Sequence, residues 1–379
     1  MVRARRSLRL LVALAGALTL LAAGPAAAPA ALDRGPAPEL EFVGQAIVAT
    51  GTQFEGTEVG GLSGIAYDAA RNVFYTLSDD PSQIDPARFY TLRIDVSAGA
   101  FDPTDVHVLD VTTLDAPNGQ PFPAQSLDPE GIALTKDDTL VVTSEGFANR
   151  LIDPFVREFE LDGDFLGSLP VPEPFLPNAA ATRGVRQNLG FESAATAPNG
   201  RFFFTGTEAA LVQDGPPATL AAGSPARLLR YNLQTNRLDR QYVYWTDPIA
   251  AAPVPPTAFA VSGLVELLPL NNEFLLSMER SFSVGVPGTG NSIRLYRVAL
   301  PGATNVDGVA ALAGALGAIR PAEKTLLFDL DTLGIPLDNV EGMAFGPDLP
   351  DGRRSLILVS DNNFAAAQFT QFLLFAAKR

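Results

Sequence analysis

Cysteine is absent from this 379-residue chain, and histidine occurs once, at His107. Without cysteine there are no disulfides, no thiolate metal sites and no Cys nucleophile. A single histidine excludes zinc centres built from several imidazoles. His107 stands in an alternating Val106-His107-Val108 context, that of an ordinary strand residue rather than a catalytic base. A G-x-S-x-G elbow is also missing, which removes the usual serine-nucleophile arrangement. Basic residues are scarce: 27 Lys and Arg stand against 42 Asp and Glu, a net charge of −15. Such acidity argues against a nucleic-acid partner, because binding to phosphates needs the opposite sign. It suits a solvated surface, a cation-binding mouth, or both.

Long apolar runs are lacking as well. Arg3, Arg5, Arg6 and Arg9 form a positive n-region, Leu8 to Leu21 a short apolar core, and Ala26-Ala27-Ala28 or Ala28-Pro29-Ala30 a small-residue cleavage site. The core falls short of the roughly 20 residues a spanning helix requires. Residues 1–30 are therefore expected to be a cleaved signal peptide, and the protein to be exported, periplasmic or secreted, with no integral membrane segment after cleavage. The mature chain, 31–379, then carries 23 basic and 42 acidic residues, net −19, and reads as a single domain with no linker.

What is present is repetition, which governs fold more strongly than any local signal. Five times a Ser or Glu followed by a small residue opens an apolar run, a polar turn follows, and a second apolar run ends on an acid. The copies are Ser63-Gly64 to Ser78-Asp79, Glu130-Gly131 to Ser144-Glu145, Glu192-Ser193 to Thr207-Glu208, Ser262-Gly263 to Met278-Glu279 and Glu341-Gly342 to Ser360-Asp361. Their turns, such as Lys136-Asp137-Asp138 and Pro198-Asn199-Gly200, hold residues that tolerate left-handed backbone. The flanks, such as NVFYTL, TLVVT and RFFFT, are β-branched or aromatic. Each cassette predicts a β-hairpin. Further strand candidates between cassettes, at 89–96, 156–161, 227–232 and 293–298, extend each hairpin to a four-stranded antiparallel blade.

In an antiparallel hairpin the residue entering the first strand and the one leaving the second lie at the same end. Glu130 with Glu145, Glu192 with Glu208, and Glu341 with Asp361 should each share an edge. Blades arranged radially bring such edges to one rim of a central channel. Carboxylates so crowded repel one another unless a cation lies among them, and hard oxygen ligands suit Ca²⁺. The expected metal ligands are Asp79, Glu130, Glu145, Glu192, Glu208, Glu279, Glu341 and Asp361, with hairpin-end turn caps as the plainer role for the same acids.

The motifs GLSGIAYD, DPEGIAL, GFESAATAPNG, SMERSFS and VEGMAFGPDLPDGRRSLILVSDNNF resemble the bacterial phytase-like family known as "esterase-like activity of phytase", and more distantly the β-propeller phytases, over about 60–375. The resemblance implies an all-β, six-bladed propeller, export, and phosphoester or ester hydrolysis, with calcium in the true phytases. Only five cassettes are visible, so a sixth blade would be degenerate or assembled from both termini; 40–50 and 370–376 could pair to close the ring.

Glu130, Glu192 and Glu341 are the candidate catalytic acids, acting beside carboxylate-bound metal. Arg186, Asn188 and Arg280 lie next to cassette acids and are candidates for gripping an anionic substrate; salt bridges would occupy the arginines equally well. No cluster of basic residues suited to a highly charged inositol phosphate is present, so a small anionic or simpler ester substrate is expected. A lactonase-like propeller, with Asn339 and Asn362 among its ligands, and a non-catalytic binding propeller holding structural calcium stay open. A closed ring makes a monomer the default.

Overall fold

The computed structural model describes residues 37–98 and 101–378; the expected signal peptide lies outside them. Five four-stranded antiparallel sheets account for nearly all the strands. Blade 1 consists of Leu62–Asp68, Val73–Ser78, Arg88–Ile94 and Val106–Thr113, and blade 2 of Pro129–Leu134, Leu140–Ser144, Phe155–Phe159 and Phe165–Leu169. Blade 3 consists of Ala195–Thr196, Phe202–Gly206, Pro225–Asn232 and Arg237–Trp245, and blade 4 of Ala260–Pro269, Phe274–Ser283, Asn291–Ala299 and Glu323–Asp329. Blade 5 takes Asn339–Asp348, Arg354–Asp361 and Thr370–Lys378 from the end of the chain, and its outer strand is Glu39–Val48. The innermost strands of blades 1, 2, 3, 4 and 5 contact one another in cyclic order, so the ring closes on itself.

The propeller thus has five blades, not six. The pairing of 39–48 with 370–378 exists, but it completes the blade that already holds the fifth cassette instead of building another. Every cassette is one blade, and outside the five blades the described strands leave only a two-stranded hairpin, Gln53–Phe54 with Thr57–Glu58, too small to make a sixth.

Period-two alternation explains the packing. In blade 5, Leu356 and Leu358 point toward blade 4 while Ile357 and Val359 point toward blade 1. Repeated round the ring, this produces one hydrophobic cluster at each of the five interfaces between neighbouring blades. The small second residue of the cassette has a steric cause. A Cβ on Gly64 would sit 2.9 Å from the Glu130 carbonyl oxygen, one on Gly131 2.7 Å from that of Glu192, and one on Gly342 3.0 Å from that of Ser63. In each case the atom struck belongs to the innermost strand of the next blade or, for Glu192, to the residues just before it. Turn residues Asn72 and Asp138 adopt positive φ, as their side chains permit.

Candidate metal and active site

The cassette does not open on a regular strand. In blades 1, 2 and 5 the ladder slips between Leu62 and Gly64, between Pro129 and Ile132, and between Val340 and Gly342. A bulge inserts one residue and re-aims its side chain. The residues at these bulges are Ser63, Glu130 and Glu341. In blade 3 the ladder shifts between the Phe191–Thr207 bridge and the Ala195–Phe204 pair, which brackets Glu192.

Blade 4 corrects the cassette as read from sequence. Its slip lies between Leu264 and Glu266, so Val265-Glu266 occupies the place of the opening pair, and Arg280 stands where the other blades carry their closing acid. Gly263 corresponds to Gly190, two positions before the opening residue: a Cβ on Gly190 would meet Glu145 at 3.1 Å, and one on Gly263 would meet Glu208 at 2.2 Å. Small residues at Ser262-Gly263 imitate the cassette three positions too early. Glu279, expected among the metal ligands, faces elsewhere. It pairs with Lys324 and accepts hydrogen bonds from the Tyr244 hydroxyl at 2.6 Å and the Asp247 amide at 2.7 Å.

A cavity of about 790 Å3 opens at the end of the ring that carries these acids. Asp79, Glu130, Glu192, Glu208, Glu341 and Asp361 line it, together with Asn188, Asn339 and Arg280. Glu145 is buried beside Glu130 and Glu192, and the three offer oxygens within 4.8 Å of one another. Asp79, Asp128 and Glu130 form a second such triad, so Glu130 is shared by both. Two buried oxygens in this group, Asp79 Oδ1 and Glu145 Oε2, have no hydrogen-bond partner. An unpartnered buried carboxylate oxygen is costly, and oxygens so close fit a hard cation of the Ca²⁺ kind.

Asp128 was not among the expected ligands. It lies just before the strand Pro129–Leu134, two residues ahead of Glu130, and its carboxylate comes within 4.8 Å of that of Glu130. Arg186 is placed away from the cavity, donating from Nε to the Ala210 carbonyl at 3.0 Å and from Nη2 to the Gly215 carbonyl at 2.6 Å. Its role is to hold that loop. Asn362 is likewise engaged, accepting from the Gly61 amide at 2.9 Å and the Phe364 amide at 3.1 Å; Asn339 and Asn362 therefore do not act as a pair. Ser63 donates to the Glu130 carbonyl at 2.7 Å and links blades 1 and 2. His107 is exposed on the outer strand of blade 1.

Burial is the largest influence on every acid of the cluster, and for all but Asp128 repulsion by neighbouring acids adds to it. Asp128 and Glu208 are pushed up to about 7, and Glu145 and Asp361 to about 8. Asp79, Glu130 and Glu192 lie well above the usual carboxylate range. Glu341 is raised by burial but drawn back by Arg280 and Asn339. Arg280 Nη2 sits 3.2 Å from both Glu208 Oε1 and Glu341 Oε1 and is the one cationic side chain lining the cavity among the described residues. Away from the cluster, two fully buried pairs, Arg88–Asp80 at 2.8 Å and Arg227–Asp214 at 2.6 Å, brace loops on blades 1 and 3.

The chain resembles solved structures only in broad outline. An endo-arabinase from Bacteroides thetaiotaomicron is 10% identical over 89% of this chain and 98% of its own, with a TM-score of 0.42. A putative glycoside hydrolase from Parabacteroides distasonis is 9% identical over 91% and 98%, TM-score 0.46. The periplasmic gluconolactonase of Pseudomonas aeruginosa is 14% identical over 85% and 87%, TM-score 0.36. Likeness at this level bears on neither substrate nor chemistry. No curated protein matches the sequence. The family model described as "Phytase-like: Esterase-like activity of phytase" matches residues 57–364, a span that takes in all five hairpins and every acid of the cavity. By that match the chain belongs to the phytase-like family.

Proposed function

We propose that this protein is an exported hydrolase of phosphate or related esters that uses calcium held by the carboxylate cluster. The observation that carries the reading is the pair of triads sharing Glu130, with Asp79 Oδ1 and Glu145 Oε2 buried and unpartnered. Asp79, Asp128, Glu130, Glu145 and Glu192 would hold the ion, which when bound balances their charge and polarises an ester oxygen.

The chain's own groups divide the remaining work by position. Arg280, between Glu208 and Glu341, presents its guanidinium to the cavity and grips an anionic or carbonyl oxygen of the substrate. Glu341, whose charged form Arg280 and Asn339 favour against the effect of burial, takes the proton of the attacking water and returns it to the departing alcohol oxygen. One guanidinium against this many acids does not suit a polyanion, so the substrate is a simple ester and not a highly phosphorylated one.

Purified mature protein assayed on an aryl phosphate, an aryl acetate and a lactone, with and without a chelator, tests the reading. Chelator-sensitive release of alcohol from either ester is the expected result. Turnover that survives complete calcium removal would refute it.

A further inference from the structure

The cavity is chemically two-sided, and only one side is acidic. Leu189, Pro217, Ala218, Phe259, Val261 and Phe282 also line it, and the last three, all from blade 4, are gathered on one hairpin. Phe282 lies two residues beyond Arg280 on one strand and therefore shares its face, about 7 Å further along. Val261 is the cross-strand partner of Phe282, and the Phe259 ring packs against the Phe282 ring with centroids 6.1 Å apart. Phe259 is 63% exposed, an unusual state for so large an apolar ring at the rim of a cavity. It continues outward into Val254 (61%) and Val284 (37%), tied to it by the Val254–Val284 and Val284–Phe259 backbone hydrogen bonds. An apolar shelf thus begins beside the one guanidinium of the site and runs out to solvent.

We infer that the substrate is an ester carrying an aromatic or acyl group, seated on the Phe259–Phe282 shelf while its polar head meets Arg280 and the acids. This deepens the hydrolase reading above and rests on it for the reaction, but not for the binding. Pockets built this way take orientation from a few polar groups and affinity from the apolar wall. A free sugar or an inositol phosphate offers that wall only small C–H patches between polar substituents, far less apolar area than an aromatic ring. The spacing also selects: the apolar group must begin within about 7 Å of the head, the distance between alternate residues on a strand, as in a benzyl ester.

The test uses matched pairs whose alcohols differ in apolar size but little in acidity: benzyl and ethyl phosphate, and benzyl and ethyl acetate. Binding is measured by calorimetry in calcium buffer, and product release is followed in parallel. Benzyl compounds should bind at least about tenfold more tightly than ethyl in one pair or both, and Phe259→Ala should collapse that ratio toward one. Phe259 is exposed, so this variant keeps the fold; Phe259→Trp should preserve the preference. Benzyl preference without any product release upholds the shelf and overturns the hydrolase reading. Product release with equal affinity for both members of each pair upholds the hydrolase and overturns the shelf. Failure of all four compounds to bind, or a benzyl preference untouched by Phe259→Ala, also overturns it.

Discussion

Arg280 of blade 4 reaches the carboxylate of Glu341 in blade 5 at 3.2 Å, and the same nitrogen lies equally far from Glu208 in blade 3. A single cation, standing where the repeat calls for an acid, therefore joins three blades at the floor of the cavity. Arg280→Met should leave two buried carboxylates without their counter-charge and destabilise the calcium-free protein by about 3 kcal/mol, the cost of breaking a buried pair. The loss should be larger at pH 8 than at pH 5, where Glu208, already pushed up to about 7, is protonated. Urea unfolding at the two pH values in chelator measures it; equal stability of variant and parent at both would remove the role.

The cluster sets the sign of the pH dependence. Asp128 and Glu208 near 7, and Glu145 and Asp361 near 8, hold protons in the folded chain that the unfolded chain releases at ordinary carboxylate pH. Stability is then full below about pH 4 as far as these groups are concerned and is lost as pH rises through 7 to 8. Melting temperatures in chelator should fall between pH 5 and pH 8.5, and added calcium should abolish the fall while releasing protons on binding. A melting temperature in chelator that rises over this range would contradict the cluster's burial.

Two acids that look alike in the repeat should behave differently. Glu130 belongs to both triads, whereas Glu279 is neutralised by Lys324 outside the cavity. Glu130→Gln should weaken calcium binding at least about tenfold, and Glu279→Gln should leave it within error. Calcium titration of both variants by calorimetry distinguishes them; an equal loss in each would return Glu279 to the site.

Glu266 occupies the slot that is small in the other blades, so its carboxyl enters the axis. It accepts from the Leu267 amide at 2.8 Å, and the amides of Ala194 and Met343, in blades 3 and 5, also bond to it. Burial pushes it well above its usual range. Glu266→Ala strands these donors and should cost about 3 kcal/mol. Glu266→Gln, which keeps an accepting oxygen, should cost no more than about 1 kcal/mol. Chemical denaturation of both reads the difference, and equal losses would mean that packing alone accounts for the residue.

The hairpins were legible because two local signals coincide: alternating apolar runs such as RFFFT, and turns such as Pro198-Asn199-Gly200 whose residues accept left-handed backbone. The number of blades was legible too, since five cassettes make five blades; the sixth came from resemblance and not from residues. The bulges were not legible. A one-residue slip leaves no mark in composition, yet it decides that Val265, not Ser262, opens blade 4, and that Arg280 displaces Glu279 at the site. Asp128 was not legible either, since it precedes the strand and the opening pair, and the bulge at Glu130 decides which neighbours that acid meets. The apolar shelf was hidden for a different reason: Phe259 and Phe282 meet only once the blade 4 hairpin is paired, and Leu189 reaches the same cavity from outside that blade.

Blade 5 draws its outermost strand from Glu39–Val48 and its other three from the far end of the chain, among them the strands that carry Glu341 and Asp361. A polypeptide still being made has neither the clasp nor those two acids in place. The ring, and the part of the cavity lined by Glu341 and Asp361, is accordingly completed only when Thr370–Lys378 pairs with Glu39–Val48, a contact between segments that lie far apart along the polypeptide.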